Sequence, residues 1–342
     1  MHGTWYSNIA VNFCDVLIAV GARFDDRVTG NVEKFAPEAS IVHIDVDPAA
    51  ISKNVAVDVP IVGDVRAILP ELTSRVQPLP TGDWLAMIDQ WKREHPLRYS
   101  CGDQIRAQYV IQKLGEITGG RAVVVTDVGQ HQMWAAQFFT WVEPRTHITS
   151  GGLGTMGFSL PAAMGAAFAA GTLPVFSISG DGGFQMNMQE MATIVEHKLP
   201  LKILIINNGF LGMVRQWQEL FWRGRYSQVQ LANPDFVKLA EAFGCPASRV
   251  TRTDEVEAAL RAMLAHTDGP ILLECRVAKE DNVYPMIPAG QSVDEMLDTP
   301  EPGPVAPGGS QESQQLIVLH KGVNPATSTP KQSHDTVPST TQ

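Results

Sequence analysis

The sequence predicts an α/β protein whose parallel sheets are wound on both faces by helices. Three observations carry that prediction. Apolar runs of strand length alternate with stretches of helical periodicity along most of the chain. Two of these runs, Val175-Phe176-Ser177-Ile178-Ser179 and Leu201-Lys202-Ile203-Leu204-Ile205-Ile206, are joined by residues 187–198, whose apolar positions recur at helical spacing. That makes a strand-helix-strand crossover with parallel strands. Each run ends in a turn with an oxygen-bearing side chain, Gly180-Asp181-Gly182-Gly183 and Asn207-Asn208-Gly209. Both turns therefore open at one sheet edge, outside the carboxyl ends of the strands, where such sheets bind ligands.

Taken in order, residues 15–21 and 40–47 read as buried strands with Val32-Glu33-Lys34-Phe35 between them, a spacing that suits a compact nucleotide-binding half of Rossmann type. Gly21-Ala22-Arg23-Phe24-Asp25-Asp26-Arg27 lacks Gly-x-Gly-x-x-Gly, so the nicotinamide fingerprint is absent. Asp45 ends the second strand, where an acid is a cap or an acceptor for a ribose hydroxyl. A third strand, residues 59–62, leads to a helix over 66–74. The Pro-rich stretch 77–83 reads as a linker, followed by a helix over 84–93 and a turn-rich stretch to 103.

From residue 104 the alternation is regular. A helix over 107–117 precedes a strand over 122–126, and a helix is expected to begin within Asp127-Val128-Gly129-Gln130-His131-Gln132. Its free backbone amides would face an anion, with Gln130 and His131 as side-chain donors to phosphate oxygens. Ser150-Gly151-Gly152-Leu153-Gly154-Thr155-Met156-Gly157 is denser in glycine than a plain turn requires, which favours a loop packed against a ligand before the helix at 160–170. After Asn208 a loop becomes an amphipathic helix on which Trp217 and Phe221 share a face; Phe221 is expected in the core. Helices over 235–243 and 254–266 and a strand over 270–275 complete the sheet. Beyond residue 298 the composition is that of a disordered tail, and residues 316–319 are too few to order it.

Composition sets limits. The chain has 342 residues, 44% hydrophobic and 18% charged, enough for two domains with ample core. A net charge of −10 with no long basic run argues against nucleic acid and anionic membrane as partners. Cys14, Cys101, Cys245 and Cys275 are widely separated, so neither a disulfide framework nor a zinc site is indicated, and a reducing, cytoplasmic setting is expected. No apolar run reaches the roughly 18 residues of a membrane span, and no secretory signal is evident.

At the shared sheet edge Asp181 and Asn208 supply one carboxylate and one amide oxygen. These are hard ligands suited to Mg²⁺, which keeps few protein ligands and takes the rest from phosphates and water. Gly180, Gly182 and Gly183 let the backbone approach a diphosphate. Either half alone reads as a capped helix or an ordinary turn; the pair does not.

Gly180-Asp181-Gly182 followed one crossover later by Asn207-Asn208 resembles the signature of the thiamine-diphosphate enzymes. Further stretches resemble one branch, the acetolactate synthase (acetohydroxyacid synthase) large catalytic subunits: Met1-His2-Gly3-Thr4, Arg23-Phe24-Asp25-Asp26-Arg27-Val28-Thr29-Gly30, residues 129–138, residues 151–158 and Gly212-Met213-Val214-Arg215-Gln216-Trp217. The likeness runs from Met1 to about Met296. It implies an incomplete Rossmann-like central domain of FAD-binding type at 1–76, a linker at 77–103, a doubly wound thiamine-diphosphate-binding domain at 104–297 and the tail from 298. It implies Mg²⁺ on Asp181, Asn208 and the Phe210 carbonyl, and cofactor contacts from Gln130, His131, Gly154, Met156, Gly157, Gly180, Gly182, Gly183, Met186 and Met213. FAD, carried without redox turnover, would be lined by Met1, His2, Gly21, Ala22, Arg23, Phe24, Asp25, Asp45, Asp64 and Val65, and the substrate by Arg27 and Trp217. The implied reaction decarboxylates pyruvate and ligates the two-carbon unit to pyruvate or 2-oxobutyrate, in branched-chain amino-acid (isoleucine and valine) biosynthesis. The implied partners are a second large subunit, in a homodimer or higher oligomer, and a regulatory small subunit.

One departure matters. The family's activating glutamate belongs to an N-terminal domain, which this chain is expected to lack, so no catalytic residue is identified and the isolated chain is expected to need that domain from elsewhere. Glu190 reads as a solvated helix residue, not a substitute. Two alternatives stay open: another thiamine-diphosphate decarboxylase or carboligase, such as glyoxylate carboligase or pyruvate oxidase, and a cofactor-binding remnant without turnover.

Overall fold

The computed structural model describes residues 3–99, 102, 104–169 and 171–298, and its named strands form two all-parallel sheets. Met1, His2, Cys101 and the expected tail beyond Asp298 lie outside the described residues.

The first sheet follows a helix that the sequence did not announce, α1 (Trp5–Asn12). Thr4 Oγ1 caps it by accepting from the Ser7 N–H at 3.3 Å. The strands β1 (Val16–Val20), β2 (Ser40–Asp45) and β3 (Val59–Val62) then lie side by side in chain order, Val16 opposite Ser40 and Val42 opposite Val59. Two helices spring from its carboxyl edge, α2 (Asp26–Thr29) after β1 and α3 (Val65–Arg75) after β3. The stretch expected as a linker holds α4 (Gly82–Glu94), which packs back on α1 through an aromatic cluster. Trp91 meets Trp5 and Trp84 edge-on at 6.3 and 5.7 Å, and His95 stacks on Trp5 at 3.7 Å.

The second sheet is larger. Its strands are β4 (Val123–Thr126), β5 (His147–Thr149), β6 (Val175–Gly180), β7 (Leu201–Asn207), β8 (Ala247–Val250) and β9 (Ile271–Arg276), in the order β5-β4-β6-β7-β9-β8. Strands β4, β6 and β7 are buried along their whole length, as expected of strands covered on both faces. One face packs on α5 (Ala107–Thr118), α6 (Gln130–Phe138) and α12 (Thr253–Ala265) through Ile111, Leu114, Trp134 and Leu260. The other packs on α7 (Ser159–Ala169), α8 (Asp181–Met186), α9 (Met191–Glu196) and α11 (Phe236–Ala242) through Leu160, Phe184, Ile194 and Phe236. The sheet is therefore doubly wound. The remaining helix, α10 (Gly212–Phe221), leaves the end of β7.

Three expectations need correction. The crossover helix expected over 187–198 is instead a 3₁₀ turn at Met188–Glu190 and the short α9, and helix already forms before it, in α8. The break falls at Asn187 (φ −138°, ψ 27°), whose Nδ2 leaves the helix to donate to the Gly157 carbonyl at 2.8 Å. Glu190 accordingly sits half-buried on the 3₁₀ turn. Strands β5 and β8 were not expected: each is short, and polar residues (His147 and Thr149, Ser248 and Arg249) interrupt the apolar run that marked the other strands. No helix of the described residues is long and apolar enough to cross a membrane.

Candidate cofactor and metal site

The register of the second sheet brings the two motif turns together. Gly180 lies opposite Ile206, so Asp181 and the Asn207-Asn208 turn leave the sheet as neighbours. Asp181 is the first residue of α8 and is only 1% exposed. Its Oδ2 accepts at 2.7 Å from Asn233 Nδ2, which also donates to Asn207 Oδ1 at 3.1 Å, and the nearby backbone amides of Gly182 and Gly209 favour the charged carboxylate. Asn233 thus joins the carboxylate to the opposite turn. Burial nevertheless pushes its pKa up to about 6 from 3.8, because these neutral donors do not replace the water a carboxylate loses. A bound cation would.

Asn208 Oδ1 accepts from the Phe210 N–H at 3.0 Å, bending the chain back over the strand end. Phe210 then forms an antiparallel bridge with Gln230, in which Leu231 N–H donates to Gly209 O and Leu211 N–H to Val229 O, both within 2.9 Å. In a bridge of this kind the flanking residues make both bonds, and Phe210 turns its own N–H and C=O away from the partner. Its N–H points to Asn208, and its carbonyl is left for a ligand. One carboxylate, one amide oxygen and one carbonyl thus gather at the edge. This hard-oxygen set fits Mg²⁺ completed by phosphate and water. Among the described residues no group of three or more His, Cys, Asp and Glu offers a rival metal site.

The surroundings are tied down by long-range hydrogen bonds. Asp127, at the end of β4 and fully buried, accepts from the Gly157 N–H at 3.0 Å, the Ser159 N–H at 3.0 Å and Ser159 Oγ at 2.9 Å, which pins the glycine-rich loop to the sheet. His131 Nε2 accepts from the Gly180 N–H at 3.2 Å. That bond requires neutral imidazole, and burial agrees by lowering its pKa to about 4 against the pull of Asp127. Only Nδ1 is left as the donor expected toward a phosphate. Gln130 is placed differently from expectation: its Nε2 donates to Gln216 Oε1 at 2.9 Å and the Asp281 carbonyl at 2.8 Å, so both amide protons are taken within the protein. Its Oε1 faces Asn208 Nδ2 at 3.4 Å.

The glycines also have protein neighbours. A Cβ on Gly180 would meet the His131 ring at 2.9 Å, one on Gly182 the Leu211 side chain at 3.0 Å, and one on Gly183 the Asp127 carboxylate. Gly154 and Gly157 adopt φ of +65° and +91°, a conformation that favours glycine. The Met156 methyl lies within 3.6 Å of where a Gly182 Cβ would sit, and Met186 packs on Gly157. Both methionines remain exposed beside the site, an apolar, polarizable surface suited to an aromatic ring. Met213 is half-buried on the first turn of α10.

The family "Thiamine pyrophosphate enzyme, C-terminal TPP binding domain" matches residues 127–275, the stretch that contains Asp127, His131, Asp181, Asn208 and Phe210, and "Thiamine pyrophosphate enzyme, central domain" matches residues 1–72. The chain is 51% identical over 300 residues to the acetolactate synthase isozyme 2 large subunit of Escherichia coli (strain K12), covering 87% of this chain and 54% of that protein. It is 46% identical over 338 residues to the mitochondrial acetolactate synthase catalytic subunit of Saccharomyces cerevisiae (94% and 48%). It is 47% identical over 313 residues to chloroplastic acetolactate synthase 1 of Zea mays (87% and 49%). This chain belongs to the thiamine pyrophosphate enzymes, as a homologue of the acetolactate synthase catalytic subunits. It spans about half the length of the curated relatives it matches.

The first sheet gathers the residues expected to line FAD at its own carboxyl edge. Gly21, Ala22, Arg23 and Asp25 follow β1, Asp45 ends β2, and Asp64 and Val65 follow β3. Arg23 pairs with Asp25 at 2.5 Å, and Asp45 Oδ1 accepts from the Asp47 N–H at 2.8 Å, leaving its other oxygen 3.8 Å from His43 Nε2. Phe24 is the exception, its ring buried edge-on against Phe35 and His43. Arg27 and Trp217 do meet: the guanidinium lies 5.9 Å from the indole centroid. Trp217 and Phe221 line a cleft of about 460 Å³ with Pro288, Ala289, Gln291 and Glu295. Phe221, expected in the core, is 39% exposed there, at the wall of this cleft.

Sequence reasoning missed Asn233, Asp127 and Glu274. Asn233 lies in Asn233-Pro234-Asp235, which reads only as a turn. A glutamate inside the apolar run Ile271-Leu272-Leu273-Glu274-Cys275 was the signal available for Glu274.

Proposed function

We propose that this chain is the cofactor-holding part of an acetolactate synthase, decarboxylating pyruvate and ligating the two-carbon unit to pyruvate or 2-oxobutyrate. The observation that carries the reading is the Asp181 carboxylate, buried, without a counter-cation among the described residues, and joined across the sheet edge to the Asn207–Gly209 turn through Asn233 Nδ2. Asp181, Asn208 Oδ1 and the Phe210 carbonyl would hold Mg²⁺, and through it the diphosphate of thiamine diphosphate. Bound there, the cofactor supplies the electron sink that lets a 2-oxo acid lose CO₂ and join a second one.

The chain's own residues bind and orient. His131 Nδ1 offers a neutral donor beside the phosphates, and Gln130 buttresses Asn208. Met156 and Met186 give the aromatic part of the cofactor an apolar wall. Arg27 over Trp217 sets a positive charge on a flat apolar surface, an arrangement suited to a 2-oxo acid with its carboxylate at one end and its alkyl group on the ring. Each added methylene in such contact is worth about 1 kcal/mol or somewhat more, which favours 2-oxobutyrate as acceptor.

FAD at the edge of the first sheet, a second large subunit, a regulatory small subunit and a place in isoleucine and valine biosynthesis belong to the same reading. So do the boundaries at residues 76, 103 and 297, and a cytoplasmic setting, in line with the free Cys14, Cys245 and Cys275.

The test is product analysis of the full chain, mixed with an N-terminal domain that carries the family's activating glutamate, given pyruvate, thiamine diphosphate and Mg²⁺. Acetolactate with CO₂ is the expected outcome. Acetate with peroxide would instead make the chain an oxidase, and cofactor binding without CO₂ release a non-catalytic binder.

A further inference from the structure

Asn207, the first asparagine of the pair, has no oxygen to spare for a metal. Its Nδ2 donates to Glu274 Oε1 at 2.7 Å, and its Oδ1 accepts from the Gly209 N–H at 3.0 Å and from Asn233 Nδ2 at 3.1 Å. Glu274 is 0% exposed on β9, opposite Ile205. It forms ion pairs with Arg249 at 2.6 Å and Arg276 at 3.1 Å.

That buried charge dictates every donor and acceptor downstream. A carboxylate only accepts, so Asn207 must turn its NH₂ toward Glu274. The Asn207 oxygen then faces Asn233, which must present its own NH₂. The second proton of that NH₂ reaches Asp181 Oδ2 at 2.7 Å. Asn233 Oδ1 is left to accept from Gln185 Nε2 at 2.9 Å, and Gln185 also donates to the Asp181 carbonyl at 3.1 Å. Each amide has one orientation.

We propose that Glu274, Asn207 and Asn233 form a positioning relay for the metal carboxylate, in which Asn233 restrains one oxygen of Asp181 and leaves the other for Mg²⁺. This rests on the Mg²⁺ reading of Asp181. The loop that carries Asn233 also carries the bridge at Gln230 that turns the Phe210 carbonyl outward, so one segment orients two of the three ligand groups. Partners that orient metal ligands in this way commonly matter 10–100-fold for affinity.

The experiment uses the full chain with thiamine diphosphate and measures calorimetrically the Mg²⁺ concentration for half-maximal cofactor binding. Asn233→Ala should raise it by about 10–100-fold. Asn233→Asp keeps the shape but sets an acceptor against Asp181 Oδ2 and Asn207 Oδ1, so it should lose at least as much. Gln185→Leu, which leaves the donor in place, should lose less. In all three the cofactor affinity at saturating Mg²⁺ should stay within about twofold, which a collapsed site would not allow. Should Asn233→Ala fail to fold, Asn233→Asp and Gln185→Leu carry the test. A wild-type Mg²⁺ requirement in Asn233→Asp overturns the relay. If Asp181→Ala in the same series also binds cofactor with a wild-type Mg²⁺ requirement, the metal reading itself falls, and the relay with it.

Discussion

The two sheets treat the polar side chains at their carboxyl edges in opposite ways. Along the first, each acid is satisfied by the backbone two residues further on: Asp25 by the Arg27 N–H, Asp45 by Asp47 and Asp64 by Arg66. Along the second, the partners come from remote parts of the chain. Asp127 reaches Gly157 and Ser159, Gln130 reaches Gln216, Asp181 reaches Asn233 and Asn207 reaches Glu274. Burial divides the same way. Strands β4, β6 and β7 expose no side chain, whereas Val16, Ile18, Val20, Val59 and Val62 of the first sheet are all exposed. Local bonds shape a turn wherever that turn is. Long-range bonds exist only in the folded sheet, and they hold Asp181, Asn207 and Asp127 in place at the second edge.

The strongest way to break this contrast is Asp127→Ala. It removes the acceptor shared by Gly157 and Ser159 and leaves buried donors unpaired, which should cost about 3–5 kcal/mol in urea unfolding. A loss near 1 kcal/mol would mean that the second edge is no more interlocked than the first.

Titration gives the next largest effect. His131, held neutral with its pKa lowered to about 4 from 6.5, binds fewer protons folded than unfolded in that interval. Its contribution is therefore fully present above pH 6.5 and lost as pH falls toward 4, a change of about 3 kcal/mol. Asp181, raised to about 6 from 3.8, works in the opposite sense in metal-free protein: its contribution is present below pH 3.8 and lost as pH rises through 6. The two largely offset. Asp181→Asn should unmask the first, so that the metal-free variant gains about 3 kcal/mol between pH 4 and 6.5. A flat profile in denaturation at those pH values would show that His131 is not buried and neutral.

The smallest effect belongs to the first sheet. Asp64→Ala removes only the cap of α3 and should cost about 1 kcal/mol by urea unfolding. A loss as large as that from Asp127→Ala would erase the difference between the edges.

Much of this was readable from the chain because it rests on local pattern. The runs ending at Ser179 and Ile206, the crossover between them and the juxtaposition of Asp181 with Asn208 follow from strand length, glycine and asparagine. What escaped the reading depends on partners far away. Asn233 is 52 residues from Asp181, and Glu274 is 67 from Asn207, and no local periodicity marks such pairs. Gln130 looked like a phosphate donor because its helix start invites an anion; only the fold shows Gln216 and Asp281 taking its protons. The glycines around Asp181 were read as room for a cofactor, and they also make room for His131, Leu211 and Asp127.

The account turns on whether the Asp181 carboxylate grips a divalent cation that carries the cofactor's phosphates. Calorimetric titration of thiamine diphosphate into the full chain, with Mg²⁺ and with chelator, in wild type and Asp181→Ala, asks this directly. The prediction is tight binding by wild type only when Mg²⁺ is present, and none by the variant at any Mg²⁺ concentration. Equal affinity in the two proteins, or binding indifferent to Mg²⁺, would contradict it.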